Sequence, residues 1–488
     1  MWAERTPGMT AADIDAGYFG DHPDVPDYVA EPWHENAATT EVMTNYLGWV
    51  MGSMDQSELE EQRVLARQIR AARPDLQTTS DADLLARAKG LRSTCRSMFD
   101  MHINQSGAAS IGPGVIGAVC AAVGRPEAAM RILAGLGGVD SASPSYAMWE
   151  LSRSVRSSPQ LMSAFEGGTQ RLAERLRADL TAADFVASLD EFVGEDGSRG
   201  PNEWDIHADT WETTPDLVLA MVDRMRLQPD DESPLLSNAA REAERETLTA
   251  EIAALVEGDP ETHGQFIAGV APARTFVPGR ERSKTNIIQE TRMAVWEIGR
   301  CAVERGELGR PQDICMLFED ELVSLAAGEL ADVSDVVTQR QRHYDHLLTL
   351  ELPFIINGEA PPSSEWEITA DRQFTQVAEG EVIQGMPGCA GTYRGTARVV
   401  LDPSDPLALQ PGDVLIATHT DPAWTPLFVP AGGVVVDVGA ALSHAIIVSR
   451  KLGIPCVVSA TDATSRIPDG AIIEVNGDAG TVTVIELP

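Results

Sequence analysis

A change of hydrophobic period near residue 357 constrains this 488-residue chain more than any other feature. Up to about residue 356, apolar side chains recur at helical spacing, notably over 57–73, 216–226, 238–256, 293–307 and 333–350, and strand-like alternation is almost absent. Ser57-Glu-Leu-Glu60 has the form of a capping box, and Pro215 stands where a helix opens. A Pro/Ser/Glu-rich stretch from Gly358 to about Gly380 then reads as a tether. Beyond it come short β-branched runs at 396–401, 413–418, 433–438, 456–459, 471–475 and 481–487, separated by Gly/Pro/Asp turns, with one clear helix over 445–452. The pattern predicts a multidomain α plus α/β protein: a mainly helical domain over 1–357, a linker over 358–380 and a small β/α domain over 381–488.

Charge narrows the function classes. Against 37 Lys and Arg stand 74 Asp and Glu, a formal net charge of −37. Such a surface repels phosphate backbones and anionic lipid heads, so neither nucleic acid nor a membrane is expected as a partner. The last 105 residues carry 5 basic and 10 acidic side chains, so most of the acidity belongs to the helical part. Lysine occurs only at 89, 284 and 451. Six scattered cysteines with no CxxC pair, and no secretory pattern in the first 30 residues, lead to the expectation of reduced thiols, a cytoplasmic location and no metal site. The charge-free stretch 106–124, rich in Gly, Ala and Ser, reads as a buried turn and helix.

Ser443-His444 is the most informative pair. Ser443 is placed as a helix cap, which puts His444 in the first helical turn. Free N–H groups and the positive end of the helix dipole favour an anion there. An imidazole at that point can attack a phosphoryl group while neutral, and the resulting phosphohistidine then sits against the dipole. The residues alone equally allow a first-turn histidine with a purely structural role.

The C-terminal segment resembles the phosphohistidine swivelling domain of the phosphoenolpyruvate-utilising enzymes. The resemblance runs through Gly388-Cys-Ala-Gly391, Gly395-Thr-Ala-Arg-Val-Val400, Pro411-Gly-Asp-Val-Leu415, Thr420-Asp-Pro-Ala-Trp-Thr-Pro-Leu-Phe428, Leu442-Ser-His-Ala445 and Gly453-Ile-Pro455. It implies that His444 is transiently phosphorylated and that Thr420 and Trp424 lie on a loop beside it.

Stretches of the helical part resemble the substrate-binding domain of the rifampin phosphotransferase family. In Gly197-Ser-Arg-Gly-Pro-Asn-Glu-Trp-Asp205, Arg199, Glu203 and Asp205 keep the family pattern, while Ser198 stands where the family usually has histidine. These three residues either contact substrate or brace the loop. Arg280-Glu-Arg-Ser-Lys284 resembles an active-site motif; Arg280, Lys284 and Arg292 would share one face if the segment were a single helix, placed to neutralise a transferring phosphoryl group. Glu281 or His102 would supply the base.

The family charges its histidine through an ATP-grasp domain or a phosphoenolpyruvate-binding barrel, and this length leaves no room for either beside the two domains. The resemblance therefore implies a separate ATP-grasp subunit holding ATP and Mg²⁺, with no cofactor bound tightly by this chain, as in the histidine-bearing subunits of phenylphosphate synthase and 4-methylphenyl phosphate synthase. The expected activity is a dikinase-type phosphotransfer from His444 to the hydroxyl of a phenol or alkylphenol. The alternatives are a partner-dependent phosphotransferase acting on another hydroxylated metabolite or antibiotic, and a phosphocarrier or regulatory subunit.

Overall fold

The computed structural model describes residues 37–136, 143–200, 202–282, 287–330, 333–351, 353, 356, 359–369, 374–401, 409–421, 424–440 and 443–488. The first described helix is α1 (Ala37–Gly48), which widens into a π-helical turn at Trp49–Ser53. Then follow α2 (Ser57–Ala71), α3 (Asp81–Gly90), α4 (Arg92–Ala122), α5 (Pro126–Ile132), α6 (Ser143–Ser157), α7 (Pro159–Glu166), α8 (Leu172–Ala178) and α9 (Ala183–Asp196). After a long loop come α10 (Asp216–Met225), α11 (Pro234–Leu255), α12 (Pro260–Arg282), α13 (Ile287–Glu304), α14 (Glu319–Ala326) and α15 (Ser334–Leu347).

Two compact units result, one of residues 1–53 with 334–373 and one of 54–333 with 374–488. In the first, α15 leads into a short ladder in which Glu351 N donates to Glu367 O (2.7 Å) and Thr369 N to Thr349 O (2.9 Å). The segment after α15 thus groups with the polar tether rather than with the rest of the helices.

The expected capping box at Ser57 is not formed. Gln56 holds the cap position, and the carboxylate of Asp55 accepts from both Ser57 N (2.9 Å) and Ser57 Oγ (3.0 Å). Asp55 takes the Ser57 N–H that the Glu60 carboxylate would accept in a capping box, and the Glu60 N–H goes to Gln56 O instead of the serine hydroxyl.

The small-residue stretch 106–124 is the second half of α4, a 31-residue helix that runs through Pro113 to Ala122, followed by a turn; one of its faces is buried and the other exposed. Its purpose is close approach. A Cβ on Gly112 would fall 2.5 Å from Ala273 N and 2.6 Å from Gly269 O of α12, and one on Gly269 would meet Val115 at 2.9 Å. The two backbones therefore touch where side chains normally intervene. Around this seam Ile116, Val119, Ile132, Ile252 and Phe266 are buried together, and a second core gathers Trp149, Phe165, Phe185, Phe192, Trp211 and Met221 from the helices between α6 and α10.

The C-terminal part is built on β1 (Val382–Gln384), β2 (Met386–Cys389), β3 (Thr392–Val399), β4 (Val414–Ala417), β5 (Gly433–Val436), β6 (Cys456–Val458), β7 (Ile472–Asn476) and β8 (Thr481–Glu486), joined in the order β1-β8-β7-β3-β4-β5-β6-β2. Strand β3 belongs to both halves: residues 392–396 pair antiparallel with β7, and residues 397–399 pair parallel with β4. Strands β4, β5 and β6 continue in parallel, and β2 closes the edge antiparallel to β6. Strict alternation divides the buried side chains between two faces. Leu415, Ala417, Val434, Val436, Cys456 and Val458 pack on one face, while Val414, Ile416, Val435 and Val457 pack on the other. The first of these faces is covered by α16 (Thr425–Phe428) and α17 (His444–Leu452), and α18 (Ala463–Arg466) adds a short turn to the second. The arrangement is the α plus α/β class read from the periodicity. Strands β1 and β2 were not among the expected runs because Pro387, Gly385 and Gly388 dilute their pattern.

The seam makes a direct prediction. Gly112→Val forces a side chain against the backbone of α12 and should lower unfolding stability by about 2–3 kcal/mol, whereas Gly114→Ala, where an added Cβ meets nothing within 4 Å, should raise it by about 0.5–1 kcal/mol, read as a higher urea midpoint.

Candidate active site

His444 is the first residue of α17, reached by the loop that leaves the carboxyl end of β5. Thr420 lies on the loop leaving the carboxyl end of the adjacent parallel strand β4, so neighbouring strand ends bring the two together. The imidazole is buried, with 6% of its surface exposed, and both ring nitrogens are engaged: Nδ1 by Thr420 Oγ1 at 3.1 Å and Nε2 by Thr425 Oγ1 at 3.0 Å. The edge-on ring of Phe428 lies 5.9 Å away, centroid to centroid. A neutral imidazole offers one donor and one acceptor, and a rotating hydroxyl can satisfy either.

Ser443 is the cap residue by position, but its side chain does not cap. Its Oγ is buried without a hydrogen-bond partner among the described residues, so the leading N–H groups of α17 are not claimed by it. Trp424 is buried in the core beneath the site with Leu427, Phe428 and Ile446 and makes the floor on which the loop rests. The expectation for this loop missed Thr425 and Phe428. Both lie in the Thr420–Phe428 motif, where the helical offset of Thr425 from Trp424 was the available signal.

Asp437 begins the loop to His444. It accepts hydrogen bonds from Thr464 N (2.9 Å) and Thr464 Oγ1. Burial pushes its carboxyl up to about 6 despite those bonds.

The loop between α9 and α10 approaches the same end of the sheet. Asn202 N donates to Asp421 Oδ2 at 3.3 Å, one residue beyond Thr420. The loop is a closed structure: Trp211 N donates to Arg199 O (2.8 Å) and Glu212 N to Gly197 O (2.9 Å). Gly200 is required because a Cβ there would lie 2.5 Å from Asp209 O across the loop. Arg199 pairs with Glu203 at 3.0 Å, and Asp205 Oδ1 accepts from His207 N at 2.9 Å.

Arg292 is where the sequence expectation needs correction. Helix α12 is described to Arg282 and α13 from Ile287, and the four residues between them lie outside the described residues. Arg292 is fully buried, and its guanidinium donates to Glu203 O (2.9 Å), Asp205 O (2.7 Å) and Gln289 Oε1 (2.5 Å). Its charge is spent on loop carbonyls rather than turned toward a transferring phosphoryl group. Lys284 lies outside the described residues, as does the side chain of Glu281.

A buried ion network anchors the far end of this loop. Arg73 bonds Glu290 (2.6 and 2.9 Å) and Glu212 (2.6 and 3.3 Å), Arg87 bonds Glu290 at 3.1 Å, and Arg70 pairs with Glu212 at 3.3 Å. Burial alone would raise the Glu212 carboxyl, but Arg73, with Arg70 and Gln289, holds it below its ordinary value.

His102 on α4 lies with its ring centroid 5.8 Å from that of Trp204, and Phe99 meets the same indole edge-on at 5.9 Å. Phe99, Ile103 and Trp204 are 48%, 54% and 38% exposed, an apolar patch beside the loop. Gln105, one turn along α4 from His102, abuts Gly279, so the end of α12 bearing Arg280 borders the same stretch of α4.

Among the described residues no group of three or more His, Cys, Asp or Glu is placed to hold a metal ion, and no helix is long and apolar enough to cross a membrane.

Comparison with known proteins accords with this geometry. Residues 409–480 match the family described as "PEP-utilising enzyme, mobile domain". Residues 102–281 match "Rifampicin phosphotransferase fourth domain". The chain belongs to the PEP-utilising enzymes. It is 30% identical over 363 residues to Chondramide synthase cmdD of Chondromyces crocatus, covering 70% of this chain and 9% of that protein. It is also 30% identical over 311 residues to a Rifampicin phosphotransferase of Streptomyces sviceus (61% and 34%) and over 372 residues to the Prodigiosin synthesizing transferase PigC of Serratia marcescens (72% and 40%). The chain thus spans between 9% and 40% of the length of these three relatives.

Two predictions follow from the electrostatics of the site. The raised Asp437 carboxyl favours the fold when protonated, so its contribution is complete below about pH 4 and lost as pH rises through about 6. Asp437→Asn should raise the melting temperature at pH 8 and flatten its dependence between pH 4 and 6. Glu212 acts in the opposite sense: its contribution is present above the ordinary carboxylate range and lost as pH falls through its lowered value. Glu290→Gln, which leaves Arg87 without its buried anion and Arg73 with Glu212 alone, should cost about 3 kcal/mol in chemical unfolding.

Proposed function

We propose that this chain carries phosphate on His444 and passes it to the hydroxyl of an aromatic acceptor held at the face of α4. The observation that carries this reading is the junction of Asn202 with Asp421, which sets the loop bearing Trp204 next to the loop bearing Thr420, the partner of His444. In the charging step a ring nitrogen of His444 attacks phosphorus; the N–P bond forms, the donor's P–O bond breaks, and one threonine hydroxyl gives up its hold on that nitrogen. In the second step the acceptor oxygen attacks phosphorus, the N–P bond breaks, and the neutral imidazole returns to its two threonines. The hydroxyl proton passes to His102 or Glu281, while Arg280 and Lys284 offset charge on the phosphoryl oxygens. Most of the catalytic task is orientation, because the N–P bond is already a good donor.

The phosphate comes from a separate ATP-grasp subunit that holds ATP and Mg²⁺, and the preferred acceptor is a phenol or alkylphenol. The exposed pair Phe99 and Trp204 supports a flat-ring acceptor. The name of the Streptomyces relative, a Rifampicin phosphotransferase, favours a second reading, an antibiotic or other hydroxylated metabolite as acceptor on the same patch.

Incubation with a candidate ATP-grasp partner, Mg²⁺ and ATP labelled at each phosphate in turn tests the first step. Acid-labile, alkali-stable label should appear on the wild type and be absent from His444→Ala; label that survives the substitution removes His444 from the pathway. A panel of phenols and polycyclic phenols then tests the second. Trp204→Ala should raise KM about tenfold for the true acceptor while leaving the labelling of His444 unchanged, and a panel in which no phenol accepts label overturns the aromatic assignment.

A further inference from the structure

Helix α17 ends in Arg450 and Lys451, capped by Gly453 in the left-handed conformation (φ 76°). Cations suit the negative end of a helix, but these two are not solvated in the usual way. They are only 8% and 6% exposed, and both line a recess whose other walls are Pro113 of α4, Leu133 and Leu136 beyond α5, Val277 of α12 and Ile447. Arg450 Nε donates to Gly388 O at 2.9 Å. Lys451 Nζ reaches only Leu136 O, at 3.4 Å, and stands 5.7 Å above the ring of Tyr146. Among the described residues neither cation pairs with a carboxylate. The carboxylate whose charge bears on Lys451, Glu242, is paired with Arg245 at 3.2 Å, and the acidic groups bearing on Arg450 are the thiols of Cys389 and Cys456. Burial lowers both cations below their ordinary values.

Two adjacent buried positive charges in a chain of net charge −37 are expensive without an anion. The recess they line has apolar walls and room for little more than a small ion. We propose that it is an anion site, in which a small inorganic oxyanion of the orthophosphate class bridges the Arg450 guanidinium and the Lys451 ammonium. The restricted room favours a free ion over an organic phosphate. The site is separate from His444, which lies seven residues and about 10 Å back along the same helix. Its walls come from both the helical bundle and the α/β part, so the anion is held only while α17 lies against α4 and α12. Bound phosphate therefore favours the arrangement in which His444 faces the helical bundle.

Equilibrium dialysis of the full chain against labelled orthophosphate tests the site. Wild type and His444→Ala should each bind one phosphate per chain with the same affinity, Lys451→Met should bind at least tenfold more weakly, and Lys451→Arg should regain most of the loss. Unchanged binding in Lys451→Met overturns the proposal, as does loss in His444→Ala alone, which would assign the phosphate to the histidine. If Lys451→Met does not fold, wild-type crystals grown in phosphate decide: tetrahedral density between the two side chains supports the site, and water alone overturns it. Dialysis with excess chloride separates an oxyanion site from a general halide site; full displacement by chloride at equal concentration counts against the oxyanion.

Discussion

The buried bond from Arg73 to Glu290 and Glu212 is the interaction on which the site depends. Glu290 lies in the first turn of α13, Arg73 follows α2, Arg87 belongs to α3, and Glu212 closes the loop that reaches Asp421. Taken singly, each buried ion costs several kcal/mol in desolvation. Joined, two carboxylates and three guanidinium groups offset one another's charge and fix the root of the loop. Arg292 does the same for its middle by donating to two successive turns of carbonyl oxygen, at Glu203 and Asp205. The loop can then present Asn202 and Trp204 at defined positions, although neither lies in a helix or strand.

A second constraint is steric. Gly112 and Gly269 let α4 and α12 meet backbone to backbone, and that contact determines which residues of α4 face outward half a helix away. Phe99, His102 and Ile103 stand on that outward stretch, where α4 leaves α12 and meets the loop. The same seam passes Pro113 and Val277, which wall the recess under Arg450 and Lys451. One close-packed helix pair thus supports an aromatic patch at one end and two buried cations near the other.

How far the sequence could be read follows from the range of the forces involved. The helices over 216–226 and 238–256 and the strands over 413–418 and 433–438 were legible because hydrophobic period is local, and each lies within a few residues of the observed α10, α11, β4 and β5. The place of His444 at a helix start was legible for the same reason, since Ser443 and the turn before it precede a short amphipathic run. Arg292 was not. Its spacing from Arg280 suggested one basic face, but the side chain is fully buried against the loop. Its partners are backbone carbonyls nearly ninety residues earlier, which no spacing rule encodes. Thr425 was missed for a different reason: a hydroxyl that completes a site by reaching a histidine from a neighbouring strand end has no signature beyond its own motif.

The choice of hydroxyls around His444 has its own logic in so acidic a chain. Had a carboxylate stood where Thr420 or Thr425 stands, it would favour the imidazolium, which has no free lone pair with which to attack phosphorus. It would also set a negative charge beside an incoming phosphoryl group. A threonine hydroxyl does neither. It orients the ring by a neutral hydrogen bond, and on phosphorylation it can turn from acceptor to donor toward the new oxygens. On the proposed function, the residues meeting the two ring nitrogens would let the ring alternate between free and phosphorylated forms without gaining or losing a protein charge. The acidic surface can stay on the helical bundle, where it discourages adventitious polyanions without weakening the nucleophile.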